Sequence, residues 1–167
     1  MKDKMTIKRA TKFIALILSV ITAIALAGCG VNSKSDLEYV KDKGTLVVGL
    51  DDTFAPMGFR DKDDNLVGFD IDLAKAVAKR MGLKVKFQPI DWAAKEGELK
   101  SKNIDCIWNG MSATSDRQKS MSLSNKYLKN RILIMSLDPN VKVNSAEDLK
   151  NIKIGTQTDS AALEAIQ

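Results

Sequence analysis

The sequence predicts an α/β fold built on a mainly parallel sheet. Three stretches carry that expectation: the β-branched run Thr45-Leu46-Val47-Val48-Gly49-Leu50, the helical spacing of Ile71, Ala74, Val77, Ala78 and Met81, and the alternation of Leu83, Val85 and Phe87. A buried strand, an amphipathic helix and a second strand in succession make a βαβ unit. Its two strands run parallel, because the helix carries the chain back to the edge where it began. The strand–helix alternation then continues to the end of the chain.

Each element has a local reason. Asp36 to Lys41 reads as a short helix, and Thr45 to Leu50 as a buried strand between glycines. Phe59 to Phe69 holds Asp61-Lys62-Asp63-Asp64-Asn65 between apolar flanks, the composition of a hairpin turn. Asp70 to Met81 is the clearest helix. Asp70 and Asp72 suit the positive end of its dipole, Lys79 and Arg80 the negative end, and Gly82 follows. Leu83 to Ile90 is a strand, Ala93 to Lys102 a helix and Asp105 to Trp108 a short strand. Asn109 to Thr114 is a polar loop, and Ser115-Asp116-Arg117-Gln118 opens a short helix. Arg131 to Leu137, with Ile132, Leu133, Ile134 and Met135, reads as an apolar strand. Ser145 followed by Glu147 and Asp148 has the form of an N-cap and an acidic first turn, Ile152 to Thr156 of a strand, and Ser160 to Ile166 of a last helix.

Composition removes several function classes. The 167 residues contain no histidine, which excludes imidazole catalysis, histidine metal ligation and an imidazole pH switch. Two cysteines are too few for a four-cysteine zinc site or a disulfide framework. The net charge of +5 is concentrated at the start of the chain. Lys2, Lys4, Lys8, Arg9 and Lys12 form a basic region ahead of the apolar run Phe13 to Leu26. That run is shorter than the roughly 20 apolar residues a spanning helix needs, so residues 1–28 read as a signal segment. Without them 21 basic residues face 20 acidic ones, and a polybasic nucleic-acid surface is not supported. Leu26-Ala27-Gly28-Cys29 resembles a bacterial lipobox, in which the cysteine becomes the diacylated N-terminus; the other reading is an ordinary signal with a chance cysteine. Cys106, between Ile104 and Ile107, reads as a buried, inert thiol.

Ligands in parallel sheets sit beyond the carboxyl ends of the strands. Here those positions are Asp51–Met57, Asp91–Trp92, Asn109–Thr114 and Gln157–Ser160. Arg117, at the start of a helix, suits a carboxylate held by two parallel charge-assisted bonds. Ser112 and Thr114 add hydroxyls, and Gly110 allows a ligand close to the backbone. The competing reading makes Ser112 or Thr114 a helix cap and leaves Arg117 in solvent. Asp51 is placed to accept an ammonium, with Phe54 and Trp92 to cover an apolar or flat moiety; equally, Asp51 is a turn former and the aromatics are core. Together they describe an anion-binding end and a cation-binding end, which suits a zwitterion. Asp63/Asp64 and Asp70/Asp72 are explained by a turn and a helix start. No Gly-x-x-x-x-Gly-Lys or Gly-x-Ser-x-Gly is present, so a phosphate loop and a hydrolase elbow are excluded.

The run Gly68-Phe69-Asp70-Ile71-Asp72-Leu73-Ala74-Lys75-Ala76-Val77-Ala78 resembles the signature of the extracellular solute-binding proteins, family 3. Asp51-x-x-Phe54-Ala55-Pro56, the stretch Asp105-Cys106-Ile107-Trp108-Asn109-Gly110-Met111-Ser112 through Arg117, and Ile154-Gly155-Thr156-Gln157-Thr158-Asp159-Ser160 follow in the family's order. The resemblance implies a type II periplasmic-binding-protein-like fold, two lobes joined by a hinge that close on a polar amino acid. It implies a monomeric, non-enzymatic receptor without a cofactor or nucleic-acid partner. Such a receptor hands its ligand to the permease and ATPase of an ABC importer, and stands outside the membrane on a lipid at Cys29. Carried over by position, Asp51 faces the ligand amine, Arg117 clamps the α-carboxylate, and Phe54 and Trp92 line the side-chain pocket. Asn109, Gly110 and Ser112 supply loop contacts, Gln157 and Ser160 contacts from the second lobe, and Asp70 and Asp72 are structural or surface residues. The implied layout is a signal peptide over 1–28, a lipidated tether over 29–43, an incomplete lobe 1 over 44–132, a hinge-crossing strand over 133–137 and the start of lobe 2 over 138–167. Family members continue well past the position of Gln167, so the chain is expected to be truncated.

Two positions depart from the pattern: Met57-Gly58 stands where an aromatic and an acid are common, and Asp159 where a glycine is usual. Two other readings share the fold. A cyclohexadienyl or arogenate-type dehydratase needs a general acid in the cleft, where only Asp51 offers itself. A sensor module of a larger signalling protein is disfavoured by the lipobox.

Overall fold

The computed structural model describes residues 34–167; the basic leader, the lipobox and Cys29 lie outside the described residues. The described chain starts with helix α1 (Asp36–Lys43) and strand β1 (Thr45–Leu50). Three short strands follow, β2 (Thr53–Phe54), β3 (Gly58–Arg60) and β4 (Leu66–Val67), which pair antiparallel in the order β2-β3-β4. This is the expected hairpin with one extra strand. Helix α2 (Phe69–Arg80) then leads to β5 (Lys84–Pro89). A 3-10 turn (Trp92–Ala94), helix α3 (Lys95–Lys100) and strand β6 (Cys106–Ile107) complete the sheet region.

The principal sheet has the order β5-β1-β6 and is parallel throughout. β1 matches β5 from Thr45↔Lys84 to Leu50↔Pro89, and β6 from Val48↔Cys106. As the central strand β1 is covered on both faces, which its unbroken apolar composition allows: Val48 and Leu50 are fully buried. Val40, Leu46 and Val48 pack with Ala74 and Ala78, and Tyr39, Val85, Phe87 and Trp108 close the cluster. The two alanines, one helical turn apart, let α2 lie close on the sheet. Full burial of each larger aliphatic side chain contributes about 1.5–3 kcal/mol. Asp105 ties the start of β6 to the rest: its carboxylate accepts Lys43 Nζ at 2.7 Å and the Val47 N–H at 2.6 Å. Burial, and then the neighbouring Asp105, push the Cys106 thiol up to about 12, so it is protonated and unreactive at neutral pH.

The head of α2 is capped by backbone rather than by a side chain. The N–H groups of Phe69 and Asp70 donate to the carbonyls of Pro56 (3.0 Å) and Met57 (2.9 Å), satisfying donors that a helix start leaves open. This contact needs Gly68. Its φ of 133° and ψ of 171° belong to a region that only glycine enters readily, and a Cβ there would lie 2.4 Å from the Met57 carbonyl oxygen.

Beyond Thr114 the chain is less regular. It contains α4 (Ser115–Ser120), a 3-10 segment (Ala146–Asn151) where a full helix was expected, and α5 (Ala161–Ile166). The two apolar segments expected as strands, Arg131–Leu137 and Ile152–Thr156, form no ladder. A strand exists only through a paired neighbour, and neither has one among the described residues. Ile152 to Gly155 keeps its alternation of half-buried and exposed positions, whereas Leu133, Met135 and Leu137 are largely exposed.

Candidate functional site

Parallel pairing brings the ends of β1, β5 and β6 to one edge, with Asp51, Asp91–Trp92 and Trp108–Asn109 following them. The chain leaves β1 toward β5 on one side and reaches β6 on the other. The crevice of such a sheet lies at this reversal, at the end of β1 where Asp51 stands.

Asp51 acts as a turn former and as an acceptor facing a distant segment. Its Oδ1 accepts the Thr53 N–H (2.9 Å) and hydroxyl (2.6 Å), while Oδ2 accepts the Gln157 side-chain amide (2.8 Å). Partial burial raises its pKa, but the bonds from Thr53 and Gln157 outweigh that, and the carboxyl is held below its ordinary value of 3.8. A depressed carboxyl stabilises the fold fully above the unfolded value, and the contribution is lost as pH falls through the native one. The stability difference between the parent and Asp51→Asn is therefore expected to be constant at neutral pH and to shrink below about pH 4. Thermal melts between pH 7 and 3 check this; a difference that grows toward acid contradicts it.

Arg117 is buried at 6 % exposure, so it is not a solvated surface cation. Nη1 donates to the Ser112 carbonyl (3.0 Å), Nη2 to the Asp159 carbonyl (3.1 Å), and the guanidinium carbon lies 5.8 Å from the centroid of the Trp92 ring. Thr114 caps α4 by accepting the Arg117 N–H at 3.4 Å. Capping by Thr114 and burial of Arg117 thus coexist. Trp92 is buried, and Asp91 fixes its turn by accepting the Ala93 N–H at 2.9 Å.

Lys95 escaped the sequence reading. It is 1 % exposed, its ammonium lies 5.2 Å from the Trp92 centroid, donates to the Trp92 carbonyl (3.3 Å), and is ion-paired with the Asp159 carboxylate. Among Glu96, Glu98, Lys100 and Lys102 it looks like one more surface charge. Its spacing of three from Trp92, which puts both on one helical face, was the available signal. Asp159, noted only as a departure from the family pattern, receives both cations.

The other candidates are placed as follows. Phe54 is 44 % exposed, and Gly110, with φ of 57°, lies against it: a Cβ at Gly110 would stand 3.4 Å from the Phe54 ring. Asn109 is buried, and its Oδ1 has no hydrogen-bond partner. The Ser112 hydroxyl accepts the Asn130 amide at 2.7 Å. The Ser160 hydroxyl caps α5, accepting the Leu163 N–H at 3.1 Å. Lys95, Arg117, Asp159, Ser160 and Leu163 line a cavity of about 320 Å³, whose walls do not include Asp51 or Phe54. What joins the two halves is the segment Gln157–Asp159, bonded to Asp51 at one end and to Arg117 and Lys95 at the other.

Asp70 is buried, whereas Asp72 is exposed. The Tyr127 hydroxyl donates to Asp70 Oδ1 at 2.8 Å, and the tyrosine ring stacks on Phe69 with centroids 6.3 Å apart. Burial raises the Asp70 pKa against the opposing pull of that bond. This clamp holds the chain after α4 to the head of α2. Among the described residues, no group of three acidic or cysteine side chains is placed to hold a metal ion.

A parallel sheet whose connections reverse direction at β1, followed by a segment that reaches back to the end of β1, places the chain in the α/β class. The chain belongs to the bacterial extracellular solute-binding proteins, family 3, whose model matches residues 46–164. It is 32% identical over 143 residues to the L-cystine-binding protein TcyJ of Escherichia coli, covering 83% of this chain and 54% of that protein. It is 33% identical over 150 residues to the arginine-binding extracellular protein ArtP of Bacillus subtilis, covering 89% of this chain and 56% of the relative. The chain thus spans about half the length of these relatives. An ancestral arginine-binding protein solved with arginine matches at a TM-score of 0.63 and 38% identity, over 74% of this chain and 54% of that one. An ancestral cyclohexadienyl dehydratase matches at a TM-score of 0.50 and 38% identity, over 52% of this chain and 36% of its own. The described residues include part of the first lobe of the type II periplasmic-binding fold.

Proposed function

We propose that this chain is part of the extracytoplasmic substrate-binding component of an ABC importer for a polar amino acid. One observation supports this above the others: Asp51 and the buried Arg117, an acid and a guanidinium, are bonded to opposite ends of the single three-residue segment Gln157–Asp159. Asp51 takes the ligand ammonium and Arg117 the α-carboxylate. Phe54 and Trp92 bound the side chain, and Asn109, Gly110, Ser112, Gln157 and Ser160 complete the contacts. Residues 133–137 are the hinge crossing and 138–167 the opening of the second lobe, while Cys29 carries the lipid that keeps the receptor beside its permease and ATPase. The named relatives, for cystine and arginine, agree in ligand class.

The dehydratase likeness supports a second reading, in which an acid donates a proton to the substrate. Asp51 is ill suited to that: a carboxyl held below its ordinary value is ionised at neutral pH, which serves to hold an ammonium. Titration calorimetry of the full gene product against the twenty amino acids and cystine is expected to give saturable binding without turnover. Aromatic product formed from arogenate, with no amino acid bound, would establish the enzyme instead.

A further inference from the structure

We propose that Lys95 is a ligand-selecting residue and that the amino acid bound here carries a second carboxylate, which replaces the Asp159 side chain on the Lys95 ammonium. This rests on the binding role proposed above and adds the substrate class. Lys95 and Arg117 are two buried cations facing the same Trp92 ring and lining the same cavity of about 320 Å³, a volume within the range of small-molecule sites. The carboxylates of Glu96, Asp116 and Glu164 also line it; Glu96 and Asp116 pair with Lys100 and Lys119, so the Lys95 and Arg117 head groups are left to an incoming anion. A clamp for one α-carboxylate needs one of them. The second, taken out of water, needs a counter-charge of its own, because an uncompensated buried ammonium is strongly unfavourable.

In this structure Asp159 meets that need, and its features are those of an exchangeable occupant. Its side chain is 57% exposed while that of Lys95 is 1% exposed, and its φ of 56° places it in a turn outside any regular element. Lys95 is fixed by its helix, by the Trp92 carbonyl and by the Trp92 ring. The segment also presents a sequence of groups that maps the site: an amide donor from Gln157 on Asp51, a backbone carbonyl on Arg117 and a carboxylate on Lys95. An acidic α-amino acid offers the same three in the same order, as ammonium, α-carboxylate and side-chain carboxylate. Its second carboxylate would bring a charge to Lys95 without requiring the loop to supply one.

The test compares glutamate and aspartate with glutamine and asparagine by calorimetry on the full gene product. The acids are expected to bind at least 10-fold more tightly than their amides. Lys95→Met is expected to abolish that ratio. Asp159→Asn, which keeps the side chain's size and is checked for folding by its thermal melt, is expected to raise glutamate affinity several-fold by removing the internal competitor. If Lys95→Met does not fold, the Asp159→Asn result decides. Tighter binding of glutamine, arginine or histidine than of glutamate, an acid preference that survives Lys95→Met, or weaker glutamate binding in Asp159→Asn overturns the assignment while leaving amino-acid binding intact. Absence of binding by any amino acid removes the underlying role itself.

Discussion

Arg117→Ala is expected to weaken amino-acid binding by about 2–5 kcal/mol, the loss typical of truncating one partner of a buried charge pair. In affinity that is roughly 30- to 5,000-fold. The size follows from where the guanidinium stands. It is buried, lies against Trp92, and has its two terminal nitrogens already aimed by the Ser112 and Asp159 carbonyls. A carboxylate arriving there meets donors in place, with little side-chain freedom left to lose. Arg117→Lys keeps the charge but not the fork, so it should fall between parent and alanine. Calorimetry on folded variants separates these cases. Parent-like affinity in Arg117→Ala would remove this residue from the site and with it the strongest support for a zwitterion receptor.

Gly68→Ala should produce the largest loss of stability among alanine substitutions at the described glycines. The backbone there is in a region costing a non-glycine residue about 1–3 kcal/mol, and the added carbon would sit 2.4 Å from a carbonyl oxygen that cannot move without releasing the head of α2. A combined loss near 3 kcal/mol lowers Tm by on the order of 10 °C for a domain of this size. Gly97→Ala supplies the control of opposite sign: it lies within α3 with nothing within 4 Å of the new carbon, and gains helix propensity of up to about 1 kcal/mol. Equal melting temperatures for Gly68→Ala and the parent would show that the capping contact is dispensable.

Much of the fold was legible because it is written in short-range periodicity. β1, α2 and β5 each carry their own pattern, and the parallel arrangement follows from their order. The strand-end rule points to Asp51 and Trp92 from sequence, and the start of a helix to Arg117. What stayed hidden depends on partners far along the chain. Lys95 is buried by a residue 64 positions away, and Asp70 by one 57 positions away. Apart from the three-residue spacing of Lys95 from Trp92, no local pattern distinguishes either from a neighbouring surface charge. The failed strands at 131–137 and 152–156 show the converse. Their apolar runs were real, but alternation only permits a strand, and a hydrogen-bonded neighbour makes it one.

The bond between Lys43 and Asp105 marks the rim of the sheet farthest from the crevice, and α1 enters the molecule there. Anything that grips the protein by the residues leading into β1, whether a biosensor chip, a bulky fusion or a surface linkage, therefore holds it from behind. The edge where Asp51 and Trp92 stand is left clear of steric shadow, because it is at the opposite end of the parallel strands.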